Sequence, residues 1–469
     1  MTHVRCSALL LIVLSTPDPC RAETADEAYQ RGVEALNKGE FDKALDAFNE
    51  AIRLDPKKAT AYSCRATVYG KQGLYDKAIA DLDVAIQLAP NETKLYAGRG
   101  FCHARQGAYD KAVENYDAIL RLDPKNFNAY LWRANGYAAQ RKFAAALPDY
   151  AEALRLCPKD AFRDAAQIHA DRGTMYHAQK GDHEKAIQDF TESLRLDPNF
   201  IRVYVDRAAS YEARGEYEKA IADYDKCIQH GIKEAPIYGR RGYVYYATRE
   251  YDKALANCNE AIRLNMKDAS TYALRGHVYY YGKSDYDKAL ADYNEAIRLD
   301  PKDAKHYHAR GILLDSNKDY DKALADYNEA IRLDPKVSDV YVRRGEIHRI
   351  RREFDKAAAD WRRGIQLGRE NDGWCYVSLA WLLATCPKAE LRHGKDAVEY
   401  ARKACELTRW QYPSYIGTLA AAYAETGDFK QAVLWQTKAL GMKIADQDQR
   451  TSMEARLALY KEGKPYRQQ

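Results

Sequence analysis

An arginine recurs through this 469-residue chain at one place in a repeating phrase: Arg31, Arg65, Arg99, Arg133, Arg172, Arg207, Arg241, Arg275, Arg310 and Arg344. Further along each phrase an acidic residue recurs, at Asp81, Asp149, Asp189, Asp223, Asp292, Asp326 and Asp360. Asn115 and Asn257 replace it in two copies and Ala47 in the first. A guanidinium and a carboxylate repeated in step can form forked ion pairs. We expect Arg65–Asp81, Arg133–Asp149, Arg207–Asp223, Arg275–Asp292, Arg310–Asp326 and Arg344–Asp360 to pair within a copy, which leaves only Arg31 short. Pairing with the following copy would leave both Arg65 and Asp360 short. If the pairs are partly buried, removing one partner strands a charge at about 3–5 kcal/mol; if both groups stand in water, little depends on them.

The residues for covalent or metal chemistry do not assemble. There is no Gly-rich phosphate loop ending in Lys-Ser or Lys-Thr, no G-x-S-x-G elbow and no H-E-x-x-H helix. The eleven histidines are scattered, and His306 and His308 point to different faces of one helix. Carboxylate pairs are as frequent as any charged helical surface makes them. Cys64, Cys102, Cys227 and Cys258 fall in packing slots, and no CxxC or Cys/His zinc spacing occurs. Cys157-Pro158 and Cys386-Pro387 stand where other copies read Asp-Pro or close a helix, so they are not read as haem motifs. We therefore expect no catalytic, cofactor or metal residues and no enzyme. With 73 basic against 68 acidic residues, the chain is not a basic nucleic-acid binder either.

The period names the elements that carry the arginines. YDKALADYNEAIRLDPK runs from Tyr286 to Lys302 and again from Tyr320 to Lys336, a shift of 34. Pro56, Pro90, Pro124 and Pro158 keep that spacing; Pro198 follows at 40, and Ile232, Met266, Pro301, Pro335 and Arg369 continue the ruler. Ten copies thus span about Ala25 to Arg369. Each reads as two amphipathic helices. In the copy from Ala59, Tyr62, Ala66 and Tyr69 share one face, Gly73 breaks the helix, Asp76 caps the next, and Ala78, Leu82 and Ala85 form the second face. Counting Ala25 as position 1, the arginine is position 7 on helix A and its acidic partner position 23 on helix B. Small residues recur at position 8, from Gly32 to Gly345.

This 34-residue helix–turn–helix punctuation resembles the tetratricopeptide repeat, over roughly three quarters of the chain. The resemblance implies an all-α, right-handed superhelical solenoid. We expect repeats one to four over 23–158, a joint at 159–165, repeats five to ten over 166–369, divergent repeats over 370–445 and a capping helix and tail over 446–469. The loosened section is similar to the C-terminal part of many bacterial tetratricopeptide proteins. Position 7 departs from the family, which prefers an apolar residue there. The repeat around Tyr279–Tyr281 carries one extra residue in its turn. Residues 1–22, with Arg5, the apolar run Ala8–Leu14 and Cys20-Arg21-Ala22, read as a signal peptide cleaved after Ala22, which would make the protein exported; uncleaved, it would stay in the cytoplasm. No segment is long enough to span a bilayer.

In the family, helix A positions 2, 5, 9 and 12 line a concave groove. In repeats seven and eight those slots supply Tyr243, Tyr246, His277 and Tyr280, an aromatic, hydrogen-bonding patch for a partner unless the rings only pack on each other. Repeat ten is basic, and Arg343 and Arg349 could receive an acidic peptide or phosphate, unless the run is simply a solvated face. The Lys/Asn clamp of chaperone-tail binders is absent: Lys94 is followed by Gly98, and Arg202 by Asp206. The expected function is a non-catalytic scaffold holding an extended peptide or helix of a protein partner. A rigid assembly subunit working through its ends or convex face is the alternative. A nucleic-acid-binding helical repeat is more distant, because the slots show no recurring polar code.

Overall fold

The computed structural model describes residues 23–179, 182–265, 267–368 and 373–468. The expected signal peptide, two points of the period's ruler (Met266 and Arg369) and the extra residue assigned before Gly181 lie outside them. The described residues are helical hairpins throughout, without a strand, and no helix among them is long and apolar enough to cross a membrane.

The chain forms two compact units, divided after Ile232. In the first, helix A and helix B alternate as α1 (Ala25–Asn37), α2 (Phe41–Leu54), α3 (Ala59–Lys71), α4 (Tyr75–Leu88), α5 (Thr93–Arg105), α6 (Tyr109–Leu122), α7 (Phe127–Ala139), α8 (Phe143–Leu156), α9 (Phe162–Ala178), α10 (His183–Leu196), α11 (Ile201–Ala213) and α12 (Tyr217–Gln229). The second holds α13 (Ala235–Ala247), α14 (Tyr251–Leu264), α15 (Ala269–His277), α16 (Tyr286–Leu299), α17 (Ala304–Ser316), α18 (Tyr320–Leu333), α19 (Ser338–Ile350), α20 (Phe354–Gln366), α21 (Gly373–Thr385), α22 (Gly394–Leu407), α23 (Pro413–Glu425), α24 (Phe429–Leu440) and α25 (Gln447–Lys461). Within each unit a helix packs on the next, and successive A helices touch (α3 on α5, α7 on α9, α15 on α17, α21 on α23). That nearest-neighbour pattern is a solenoid.

Local chemistry explains the hairpins. Helix A ends in a left-handed residue: Gly39, Gly73 and Gly107 have φ of 75–77°, a conformation that costs glycine nothing. In other repeats Arg141, Arg249, Lys318 and Arg352 are forced into the same turn at φ of 58–63°. Asp76, expected as a cap, is instead the second residue of α4, whose N-cap is Leu74 without a side-chain bond; its carboxylate faces the positive end of the helix dipole. The extra residues of 159–165 lengthen a helix: α9 has 17 residues where the A helices of the neighbouring repeats have 13. The extra residue near Tyr279–Tyr281 is absorbed as a π-helical turn, Val278–Gly282, that continues α15.

The core is thin and runs along the A/B contact. Its largest members sit at position 24 of helix B: Phe48, Tyr150, Phe190, Tyr224, Tyr293, Tyr327 and Trp361 are all 0–1% exposed. Each ring lies across position 8 of helix A. A Cβ built on Gly311 would come 2.6 Å from a Tyr327 ring carbon, so helix A and ring cannot keep this approach with a side chain there.

The left-handed turns give a first prediction. Lys318→Gly and Arg352→Gly remove a backbone conformation that costs an L-residue about 1–2 kcal/mol, partly offset by glycine's larger unfolded-state entropy. Each is expected to raise the urea midpoint of unfolding by the equivalent of about 0.5–1 kcal/mol; an unchanged or lower midpoint contradicts the account.

Candidate functional site: the A-helix face and the clamp behind it

The position-7 arginines lie behind the A-helix face and set its spacing. Arg65 donates from Nε and Nη2 to the Asp81 carboxylate at 2.8 and 2.7 Å. The same fork joins Arg133 to Asp149, Arg172 to Asp189, Arg207 to Asp223, Arg275 to Asp292, Arg310 to Asp326 and Arg344 to Asp360. Where the partner is an amide, one bond remains: Arg99 Nε to Asn115 and Arg241 Nε to Asn257, each 2.8 Å. All these pairs lie within one repeat. Arg31, with Ala47 opposite, meets Glu23 instead.

Two further partners were not singled out from the sequence. The remaining Nη1 reaches back to position 25 of the preceding repeat: Arg65 to Asn49, Arg99 to Asp83, Arg133 to Asp117, Arg275 to Asn259, Arg310 to Asn294 and Arg344 to Asn328, at 2.5–2.7 Å. Position 25 before Arg172 is Ala151, which offers no side-chain acceptor, and Asp189 there takes a further bond from His169. A tyrosine one helical turn earlier, such as Tyr62, Tyr130, Tyr272 or Tyr341, lies 5.4–5.6 Å from the guanidinium carbon. The recurrence of Asx at position 25 and Tyr at position 4 was the available signal. Asp189 is desolvated, yet the bonds from Arg172 and His169 hold it below the ordinary carboxylate range.

On the face itself, position-24 tyrosines send their hydroxyls past position 8 to the groove-lining slots. Tyr150 bonds Asn135 at position 9, Tyr224 bonds Glu212 at position 12, and Tyr293 shares a 2.8 Å bond with His277 Nδ1 at position 9. The slots are therefore fixed from below.

The expected aromatic patch forms part of this arrangement. Tyr246 stacks on His277 with centroids 6.3 Å apart, and His277 meets Tyr293 edge-on at 5.4 Å. Tyr280 lies in the π turn, 4.5 Å from Tyr281, and packs against the Tyr293–Leu313 cluster. Tyr246, His277 and Tyr280 are thus half-buried supports. Tyr243, at 48% exposure, and Tyr281, at 51%, are the open rings. Tyr281 was not among the expected residues; the π turn and its i, i+4 relation to His277, 6.1 Å away, bring it there.

The basic stretch of repeat ten is largely internally paired. Arg349 is held by Glu346 at 3.0 Å, Arg351 by Asp321, His348 by Glu353 and Arg344 by Asp360. Arg343 is exposed, and its charge acts on Tyr281, Asp315 and Tyr327. Six of the eight described cysteines are buried thiols, and burial pushes Cys227 up to about 11 and Cys258 and Cys405 up to about 12.

Two measurements probe this chemistry. Asp326→Ala is expected to lower the urea midpoint by the equivalent of about 3 kcal/mol, since Arg310 is left behind in a poorly solvated place. Asp326→Asn is expected to lower it by less than half as much, because Asn115 and Asn257 show that an amide still satisfies Nε. Equal effects would contradict the clamp. Burial, then His306 and His308, pull the His277 pKa from 6.5 to about 4. The unfolded chain therefore binds this proton at higher pH than the folded one, and stability falls as pH drops from 6.5 toward 4. His277→Gln is expected to flatten that part of the pH profile, measured by urea midpoints.

Sequence profiles of the tetratricopeptide repeat match residues 103–161, 137–199, 175–236, 278–338 and 308–371, and a further one matches 235–268. A TPR repeat profile matches 36–73, and together the matches span more than half of the chain. Solved structures with similar chains include yeast Tom70, at 18% identity over 93% of this chain and 95% of that one, with a TM-score of 0.38. The APC/C hetero-tetramer Cut9–Hcn1 gives 12% identity over 92% and 96%, with a TM-score of 0.43. A tetratricopeptide repeat protein from Parabacteroides merdae gives 20% identity over 54% of this chain and 98% of its own, with a TM-score of 0.43. Profile matches over more than half of the chain, on repeats that return with a period near 34 residues, place this chain in the tetratricopeptide repeat family.

Proposed function

We propose that the chain is a non-catalytic scaffold that holds an extended segment of a partner protein against the A helices of repeats seven and eight. Tetratricopeptide repeats generally serve as protein-interaction scaffolds, which supports the class. The observation that carries the finer reading is the pair of half-exposed rings, Tyr243 and Tyr281, standing on a packed, hydrogen-bonded layer. That layer is Tyr246 stacked on His277, itself bonded to Tyr293. Large amphipathic rings on a rigid base lose little conformational entropy on binding, the usual character of an interface anchor. An extended backbone offers carbonyl acceptors to their hydroxyls and apolar side chains to their faces.

The test is affinity capture from the native source followed by crosslinking. Tyr243→Ala/Tyr281→Ala alters two exposed side chains, so circular dichroism and melting should match wild type. Recovery of the captured partner is expected to fall at least ten-fold. Undiminished recovery would reject docking on this face and favour assembly through other surfaces.

A further inference from the structure

The last described residues turn back onto the repeats. Gly463, at φ 70°, ends α25, with the Lys464 amide donating to the Leu459 carbonyl at 2.9 Å. The segment after Pro465 then runs extended across the C-terminal ends of α23 and α21. It makes three contacts of different kinds. The Tyr466 ring lies 5.7 Å from Trp381, and the Arg456 guanidinium covers both rings at 5.0 and 5.7 Å. Arg467 Nη1 lies 2.6 Å from Glu425 Oε2, its hydrogen directed to the Tyr466 carbonyl. The Gln468 amide donates at 2.8 Å to the Thr385 carbonyl, one of the acceptors left open where α21 ends.

These are contacts a bound peptide makes: a ring in an aromatic slot, a cation on a carboxylate and a main-chain donor on a helix end. With Leu379 as position 7 of its unit, Trp381 occupies position 9, a groove-lining slot. Residues 465–468 are themselves only half-buried, while the core beneath them, including Leu382, Leu383 and Ala424, is 0–2% exposed. Glu425 also keeps a second arginine, Arg392, at 3.0 Å through its other oxygen. Release of the segment therefore leaves the carboxylate paired with Arg392.

We propose that Lys464–Gln468 is a built-in competitor for a peptide site formed by Trp381, Thr385, Glu425 and Arg456. The ligand of that site is an extended segment of a partner protein with an aromatic residue directly followed by arginine. The tether makes the competition effective. A strap joined to α25 through a glycine presents itself at an effective concentration on the order of millimolar. A peptide offering the same contacts at micromolar concentration leaves it in place, whereas a partner adding contacts elsewhere displaces it. The site lies in other repeats than Tyr243 and Tyr281 and does not depend on their role.

The probe is a fluorescein-labelled hexapeptide, Lys-Pro-Tyr-Arg-Gln-Gln, titrated by anisotropy against the full chain and against full-length Tyr466→Ala/Arg467→Ala, in which the strap is released. Saturable binding to the released protein at least ten-fold tighter than to wild type is expected. Adding Trp381→Ala or Glu425→Gln to the released protein should weaken it five-fold or more, and Tyr243→Ala/Tyr281→Ala should leave it unchanged. No saturable binding to a released protein of native circular dichroism, or equal binding to both, overturns the proposal. So does a lowered melting temperature of the released protein that excess peptide fails to restore, since the strap would then be only part of the cap.

Discussion

A guanidinium fastened on two sides decides how the hairpins of each unit stack. In Arg65, Arg133, Arg275, Arg310 and Arg344 the fork of position 7 closes on position 23 of its own repeat and leaves Nη1 for position 25 of the repeat before. The first contact joins helix A to helix B. The second joins one hairpin to the next. The acidic partners are only 4–6% exposed, so each carboxylate has lost most of its water, and the geometry must return that loss through two charge-assisted bonds. A buried pair of this kind adds little net stability over an apolar pair. What it adds is register, because a hairpin that slipped along its neighbour would leave a desolvated charge without a partner.

This constraint frees the rest of each repeat to be modest. Alanine and glycine fill the helix crossings, and in most repeats one ring at position 24 fills the space between. Because position 8 is small, that ring passes close to helix A, and its hydroxyl emerges among the groove-lining residues. Tyr293 under His277 and Tyr150 under Asn135 show the result, in which groove polarity is anchored in the core. The exposed rings of repeats seven and eight stand on such an anchored layer.

The C-terminal repeats use different means. Leu379 replaces the arginine, and the hairpins there are held by an apolar cluster around Leu382, Leu383, Ala421 and Tyr460. Their polar groups, Glu425 and the Thr385 carbonyl, are available for the strap, as the clamped residues of the earlier repeats are not. The two halves of the chain's chemistry thus separate: ion pairs set spacing in the regular repeats, and polar groups meet an extended segment at the end.

By itself the sequence determined the repeat length, the two helices of each copy, the small residues at their crossing and the arginine–aspartate rhythm. All are local or periodic properties, legible because ten copies average out the accidents of any one. It also carried, unread, the Asx at position 25 and the tyrosine at position 4. Those residues make sense only once neighbouring hairpins are superposed in space. Tertiary structure alone decided which aromatic residues are open: Tyr246, His277 and Tyr280 became supports, and Tyr281 came to the surface through a π turn that the one-residue insertion could not specify. It likewise paired part of the basic run, since Asp321 of the preceding repeat reaches Arg351 only in the folded chain. The course of residues 464–468 has the same origin. A five-residue, largely polar segment has no periodicity, and only the slots left by α21, α23 and α25 give it a path.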